Sequence, residues 1–249
     1  SQTLVHYWNF NNNASVAAIT TPSQTFVTGA AITAIAGGIS EINLGGTGQN
    51  FDVQNLNARN GDVAGTHVRF NDPIGGQVQF DLPTTGFENI IVQFATRRSG
   101  SGAGTQLWSY TIDGSTYLPF TTILPNNGDP ALATLDFTAI ADVNNNANFK
   151  LRVAFEALPG GTVGNNRFDN FTLEGDIIPV DFPDYHVLTA NGVPMFRTQL
   201  GQSNGFLSLK IREFIDRSSA YNITGTKAEQ IASMKGEGQA TTKGEKNGK

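Results

Sequence analysis

The nine residues NFKLRVAFE, 148–156, alternate without a break: Phe149, Leu151, Val153 and Phe155 on one side, Lys150, Arg152, Ala154 and Glu156 on the other. A period of two assigns one set to each face of a pleated strand, so the segment reads as a half-buried β-strand and excludes a helix. GQVQFDL repeats the logic with Val78, Phe80 and Leu82 inward, whereas ENIIVQFAT is apolar on both faces around Ile90, Ile91 and Val92 and reads as a central strand. Similar short segments recur between Gly, Asn, Pro and Asp clusters as far as residue 176, about ten strands by pattern, which predicts an all-β, two-sheet antiparallel jelly-roll sandwich.

Composition narrows the function classes. The chain has 249 residues, enough to bury a sizeable core without staples, and its lack of cysteine excludes thiolate metal sites and cysteine nucleophiles. A net charge of −5 with no clustered Lys and Arg over most of the chain argues against a nucleic-acid partner. No apolar run approaches the roughly 20 residues of a membrane helix, so membrane insertion is not expected. The opening SQTLVHYW, without an initiator Met, reads as a mature secreted chain after signal-peptide removal or as an artificially trimmed chain, with the former favoured.

Lysine use breaks near residue 176. Residues 1–176 hold one lysine, Lys150, whereas residues 177–249 hold six. The predicted organisation is therefore a sandwich over 1–176, then a linker and a mixed, lysine-rich C-terminal extension over 177–249. In the extension IIPVDFPDYHV reads as a proline-bearing linker, and GFLSLKIREF alternates Leu207, Leu209 and Ile211 like a strand. Thr226 with Glu229 fits a helix capping box ahead of Ile231 and Met234, and the apolar-poor stretch 236–249 is expected to be disordered.

Two local patterns mimic chemistry. ATRRSGSGAGTQLWSYTIDGSTYLPF carries arginines and glycines, but a phosphate loop needs its glycines to open a helix, and here the β-formers Gln106 to Tyr110 follow. It reads as strand, flexible glycine loop, strand, an Asp113-Gly114 turn and strand. GQSNG, 201–205, matches the nucleophile elbow, but that serine needs a downstream histidine and none follows His186. His6, His67 and His186 share no ligand or triad spacing, and acids such as Asp81, Glu88 and Glu156 form no favoured pair.

Candidate binding residues are few. Asp142, Asn144 and Asn146 alternate like hard-oxygen ligands, but Ala147 and Val153 stand where a calcium loop wants Gly and Glu, so an Asn-rich turn is the better reading. Asp169 shares strand parity with Phe171 and Leu173, which puts an acid on a face that should be buried; it is the candidate ligand for a structural Ca2+, the alternatives being a solvated strand end or an Arg partner such as Arg167. Trp108 and Tyr110 read as core residues beside Ile112. Arg97 and Arg98 in the glycine loop and Tyr117 after the turn are the candidate ligand-binding set, because an aromatic face and nearby donors suit a sugar.

LVHYWNFNN, FATRRSGSGAGTQLWSYTIDGSTYLPF and VGNNRFDNFTLEG together resemble the jelly-roll β-sandwich modules of large secreted bacterial surface proteins of the type IX secretion style, related to laminin-G-like and carbohydrate-binding sandwiches. The resemblance implies a structural calcium ligand in the closing strand, at Asp169. It implies a non-catalytic extracellular or cell-surface module that binds glycans or takes part in adhesion. Alternatives are a structural subunit of a self-assembling filament or surface layer, with the extension making homo-oligomer contacts, and a sandwich-fold glycan hydrolase or lyase.

Overall fold

The computed structural model describes residues 1–35, 41–46, 49–157, 163–179, 185–203 and 206–215. The chain divides into two compact units, Ser1–Ile178 and Pro179–Lys249. The first holds β1 (Thr3–Trp8), β2 (Gln24–Thr25), β3 (Ala31–Ile35), β4 (Glu41–Gly46), β5 (His67–Asn71), β6 (Gln77–Asp81), β7 (Phe87–Arg98), β8 (Thr105–Thr111), β9 (Leu118–Ile123), β10 (Ala131–Asp136), β11 (Lys150–Glu156) and β12 (Asn165–Ile177), with short helices α1 (Val16–Thr20) and α2 (Phe51–Gln54). The second holds β13 (His186–Ala190), β14 (Val193–Ser203) and β15 (Phe206–Phe214).

Among the described residues, one sheet of the first unit runs β10-β7-β12-β1-β2, with β5 on β12 and β4 on β5, and the other runs β3-β6-β11-β8-β9; all their pairings are antiparallel. The period-two segments supply the packing between them. Val78, Phe80 and Leu82 of the β6 segment and Phe149, Leu151, Val153 and Phe155 around β11 are all buried, and the two strands are neighbours. Between the sheets Phe80 stacks on Phe171 at 4.4 Å between ring centroids, and Phe94 and Trp108 lie 5.1 Å apart. Each fully buried Phe contributes about 1.5–3 kcal/mol of transfer free energy. β7, apolar on both faces, sits between β10 and β12 as a central strand must.

The glycine segment is a crossing between sheets and not a hairpin, because β7 and β8 belong to different sheets. It is also tightly held. Ser99 N–H donates to the Asn165 carbonyl at 2.9 Å, Ala103 N–H to the Asn166 side chain at 2.9 Å, and Asn166 Nδ2 back to the Ala103 carbonyl at 3.1 Å. A Cβ at Gly102 would collide with the Asn165 carbonyl, so glycine is there for close backbone approach. The hairpin lies one step later, between β8 and β9, where Gly114 takes φ 84° and the Asp113 carboxylate accepts the Ser115 and Thr116 amides at 2.7 Å each.

The asparagines of ADVNNNANF serve their own loop and its neighbours. Asn144 Oδ1 accepts the Asn89 amide, Asn145 Oδ1 the Gly86 amide, and Asn146 Nδ2 donates to the Ile112 and Asp142 carbonyls. The capping-box segment around Thr226 and the stretch 236–249 lie outside the described residues.

The second unit is a three-stranded antiparallel sheet, β13-β14-β15. Its register puts Leu188, Phe196 and Phe214 side by side, and Leu200 opposite Leu209. Arg197 and Glu213 face each other on the reverse side, with Arg197 Nη1 3.0 Å from Glu213 Oε1 and its guanidinium over the Tyr185 ring at 4.9 Å. The sheet is amphipathic, and its apolar face is open at β15, where Leu209, Ile211 and Phe214 are 46%, 50% and 78% exposed, whereas Thr198 of β14, opposite Ile211, is buried.

Candidate functional site

β12 changes partner partway along one edge. Asn165 to Phe168 pair with β5, Phe171 to Gly175 pair with β1, and the switch falls at Asp169 and Asn170, where Asn170 adopts φ 47° and the register against β7 slips. Such a bulge reverses the alternation. Phe168 and Phe171 therefore both enter the core, while Asp169 and Arg167 lie on the outer face. Asp169 is buried, but on the side away from Phe171 and Leu173, so the shared face expected from strand parity does not form.

The outer face is covered by the segment 49–66. Asn57 Nδ2 donates to the carbonyls of Asn170 at 2.6 Å and Gln93 at 3.1 Å; Asn170 Nδ2 donates to the Leu56 carbonyl at 2.9 Å; and Arg59 Nε donates to Glu174 Oε1 at 2.8 Å. Tyr7 Oη donates to Asn170 Oδ1 at 2.9 Å, and burial pushes its phenol up to about 12. Asp169 accepts the Asn170 amide at 2.9 Å, but desolvation dominates and raises its carboxyl to about 8. Among the described residues no group of three or more His, Cys, Asp or Glu is arranged to hold a metal ion.

At the other end of this face three arginines meet. Arg167 stands opposite Arg69 across the β5–β12 pairing and opposite Arg97 across the β12–β7 pairing, so all three share one face of adjacent strands. Arg167 is 8% and Arg97 9% exposed. Arg97 donates through Nη1 to the Gln49 carbonyl at 3.2 Å and through Nη2 to the Asn127 carbonyl at 2.9 Å. Arg167 is anchored through Nε to Asn165 Oδ1 at 2.7 Å, and its Nη1 is buried without a hydrogen-bond partner. His67, two residues before Arg69, is buried beneath Phe51 at 4.6 Å, and burial together with Arg167, Arg69 and Arg97 lowers its imidazole to about 3. It is neutral at physiological pH.

The residues singled out from sequence are thus dispersed. Arg97 belongs to the ladder. Arg98 points to the other side of β7 and donates to the Ser99 and Gly100 carbonyls at 3.2 and 3.1 Å. Tyr117 belongs with the other sheet, where its hydroxyl donates to Gln79 Oε1 at 2.9 Å and Arg152 covers its ring at 3.8 Å. Ser203 of GQSNG ends β14 opposite Phe206, between two strands and not between a strand and a helix; Asn204 and Gly205 lie outside the described residues.

The first unit defines a β-sandwich, the second a small amphipathic sheet, and comparison with known proteins separates them further. Residues 173–216 match the family described as type III flagellar switch regulator (C-ring), FliN C-terminal. The flagellar motor switch protein FliM of Pseudomonas aeruginosa is 50% identical over 44 residues, which are 18% of this chain and 14% of that protein. Solved structures similar to the chain include a CBM61 module complexed with β-1,4-galactotriose, at TM-score 0.36 and 12% identity over 58% of this chain and 88% of that one. A Clostridium thermocellum xylanase 10B fragment with CBM22-1 and GH10 modules is similar at TM-score 0.35 and 15% identity, over 51% of this chain and 25% of that one. These structural neighbours are sandwiches of the carbohydrate-binding type, and at such scores they carry no argument about a ligand.

The match over 173–216 corrects the functional expectations drawn from sequence. A secreted, extracellular glycan-binding or adhesion module is overturned by it. So are the glycan or cell-surface partner, the extracellular filament and the secreted localisation. Of the expected partners, only a homo-oligomer is compatible with a C-ring type of match. The sandwich carries the resemblance, whereas the matched residues span the end of β12 and β13–β15, a stretch that reads locally only as linker, turn and strand.

Proposed function

We propose that the chain works as a non-catalytic, intracellular assembly protein of the flagellar-switch type. The β13–β15 sheet is its docking element, and the sandwich is a domain carried with it. The observation that carries this reading is the coincidence of the family match over 173–216 with an amphipathic sheet whose apolar side is exposed at Leu209, Ile211 and Phe214. An apolar sheet face needs a second layer to be stable in water, and a three-stranded sheet has little core of its own. The layer that fits is a second C-ring-type sheet, from another copy of this chain or from a flagellar switch subunit.

The test is to run the full chain by size exclusion with light scattering, alone and mixed with a purified FliM-type subunit. A mass above the monomer in either run supports the reading, provided that L209D/I211D abolishes it while the sandwich stays folded. A monomer in both runs, or an assembly indifferent to those substitutions, overturns it.

A further inference from the structure

We propose that the outer face of the β3-β6-β11-β8-β9 sheet carries a binding site for a small carboxylic acid with an apolar body, formed by a groove between β8 and β9 and the Arg152 guanidinium beside it. The site belongs to the first unit and does not depend on the docking role of β13–β15.

The groove follows from an irregularity in the edge pairing. Ser109 stands opposite Pro119 and Trp108 opposite Thr121, so β9 holds one extra residue, Phe120, at this point. Its ring stacks on the buried Phe137 at 4.2 Å. Pro119 brings no N–H to the ladder, which loosens the edge further. A groove of about 340 Å³ opens there, within the roughly 300–1,000 Å³ of small-molecule sites. Leu107, Pro119 and Ala154 give it apolar walls, Ser109 and Thr122 add hydroxyls, and none of the lining residues is charged.

The charge stands at one end. Arg152 is directly opposite Ser109 and two residues before Ala154 on β11, so it shares the outer face with the groove. Its guanidinium is held in place: Nε donates to Gln79 Oε1 at 3.0 Å, and the group lies 3.8 Å over the ring of Tyr117, whose hydroxyl donates to the same Gln79 oxygen at 2.9 Å. Among the described residues no acid pairs with it. Asp81 is taken by Lys150, with Nζ to Oδ1 at 3.6 Å, and the same oxygen accepts Gln79 Nε2 at 2.7 Å. The Asp113 carboxylate is turned into its own loop, where it accepts the Ser115 and Thr116 amides. Glu156 lies beyond Ala154 on β11, four residues from Arg152, and is exposed.

This leaves Nη1 and Nη2 of a fixed guanidinium for a ligand. The planar fork matches the two oxygens of a carboxylate, and a group already held on its face and at Nε loses little freedom on binding. The apolar walls then select a ligand with an apolar body. A neutral molecule would leave the fork unmatched, and an acid without a body would leave the groove empty.

Titration of the full chain with phenylacetate, followed by amide shifts in NMR, tests the site, with phenylacetamide and acetate as comparisons at equal ionic strength. Phenylacetate should give saturable shifts at residues 107–109, 119–122 and 152–154. Phenylacetamide, which loses the charge, and acetate, which loses the body, should each bind roughly tenfold more weakly or worse. R152Q should weaken phenylacetate to a similar degree, and R152K, which keeps the charge and loses the fork, should fall between R152Q and the parent. The phenylacetamide comparison is made on the parent protein and so decides the question even where a variant does not fold. No saturable shift with phenylacetate, equal affinity for phenylacetamide, or binding unchanged in a folded R152Q overturns the proposal.

Discussion

The two units bury apolar surface in opposite ways. In the sandwich, two sheets close over Phe80, Phe94, Trp108, Phe168 and Phe171, all nearly inaccessible, and even the outer face of β12 is covered by the 49–66 segment. In the β13–β15 sheet the same alternation makes an apolar face that stays exposed along β15 at Leu209, Ile211 and Phe214, although Thr198 of β14 is buried. The larger unit carries the stronger fold signal, whereas the family match falls mostly on the smaller.

The largest expected effect breaks the closed unit alone. Phe168→Ala removes a ring touching Phe70, Phe94 and Trp108 and should destabilise the sandwich by about 3–5 kcal/mol, read by chemical denaturation. Assembly through the second unit should persist for as long as the sandwich stays folded. The reciprocal change, L209D/I211D, should weaken assembly at least tenfold while the sandwich melt stays put, read by sedimentation over a concentration series. If that variant lowers the sandwich melt instead, the contrast between the units fails.

A smaller effect depends on pH. The Asp169 carboxyl rises from the ordinary value near 4 to about 8 on folding, so the native state keeps a proton that the unfolded chain releases. Its contribution is whole below about pH 4 and is lost as pH climbs through about 8. Stability of the sandwich should fall across that window, and Asp169→Asn should flatten the fall, as denaturation at pH 5, 7 and 9 would reveal. The smallest effect is Tyr117→Phe: it deletes one half-exposed hydrogen bond to Gln79 and should cost about 0.5–1 kcal/mol.

What was legible in the sequence followed from local periodicity. Val78, Phe80 and Leu82, and Phe149 through Phe155, announce their strands because alternation is a property of neighbours in the chain. The glycine run was misread as flexible because its tightness comes from Asn165 and Asn166, more than 60 residues away. Strand parity puts Asp169 on the face of Phe171, but a bulge at Asn170 that no local pattern marks turns it to the other side. The arginine ladder was invisible for the same reason: residues 69, 97 and 167 become neighbours only through strand order. Leu207, Leu209 and Ile211 predict a strand, yet alternation says nothing about which proteins a strand resembles, and the similarity to FliM rests on 44 residues.

The most direct test of the account is hydrogen exchange on the full chain, alone and with a FliM-type subunit. The account predicts slower exchange confined to residues 193–214 on adding the subunit, with the amides of 1–178 unchanged. Protection that appears in the sandwich and leaves β14 and β15 as before would contradict it.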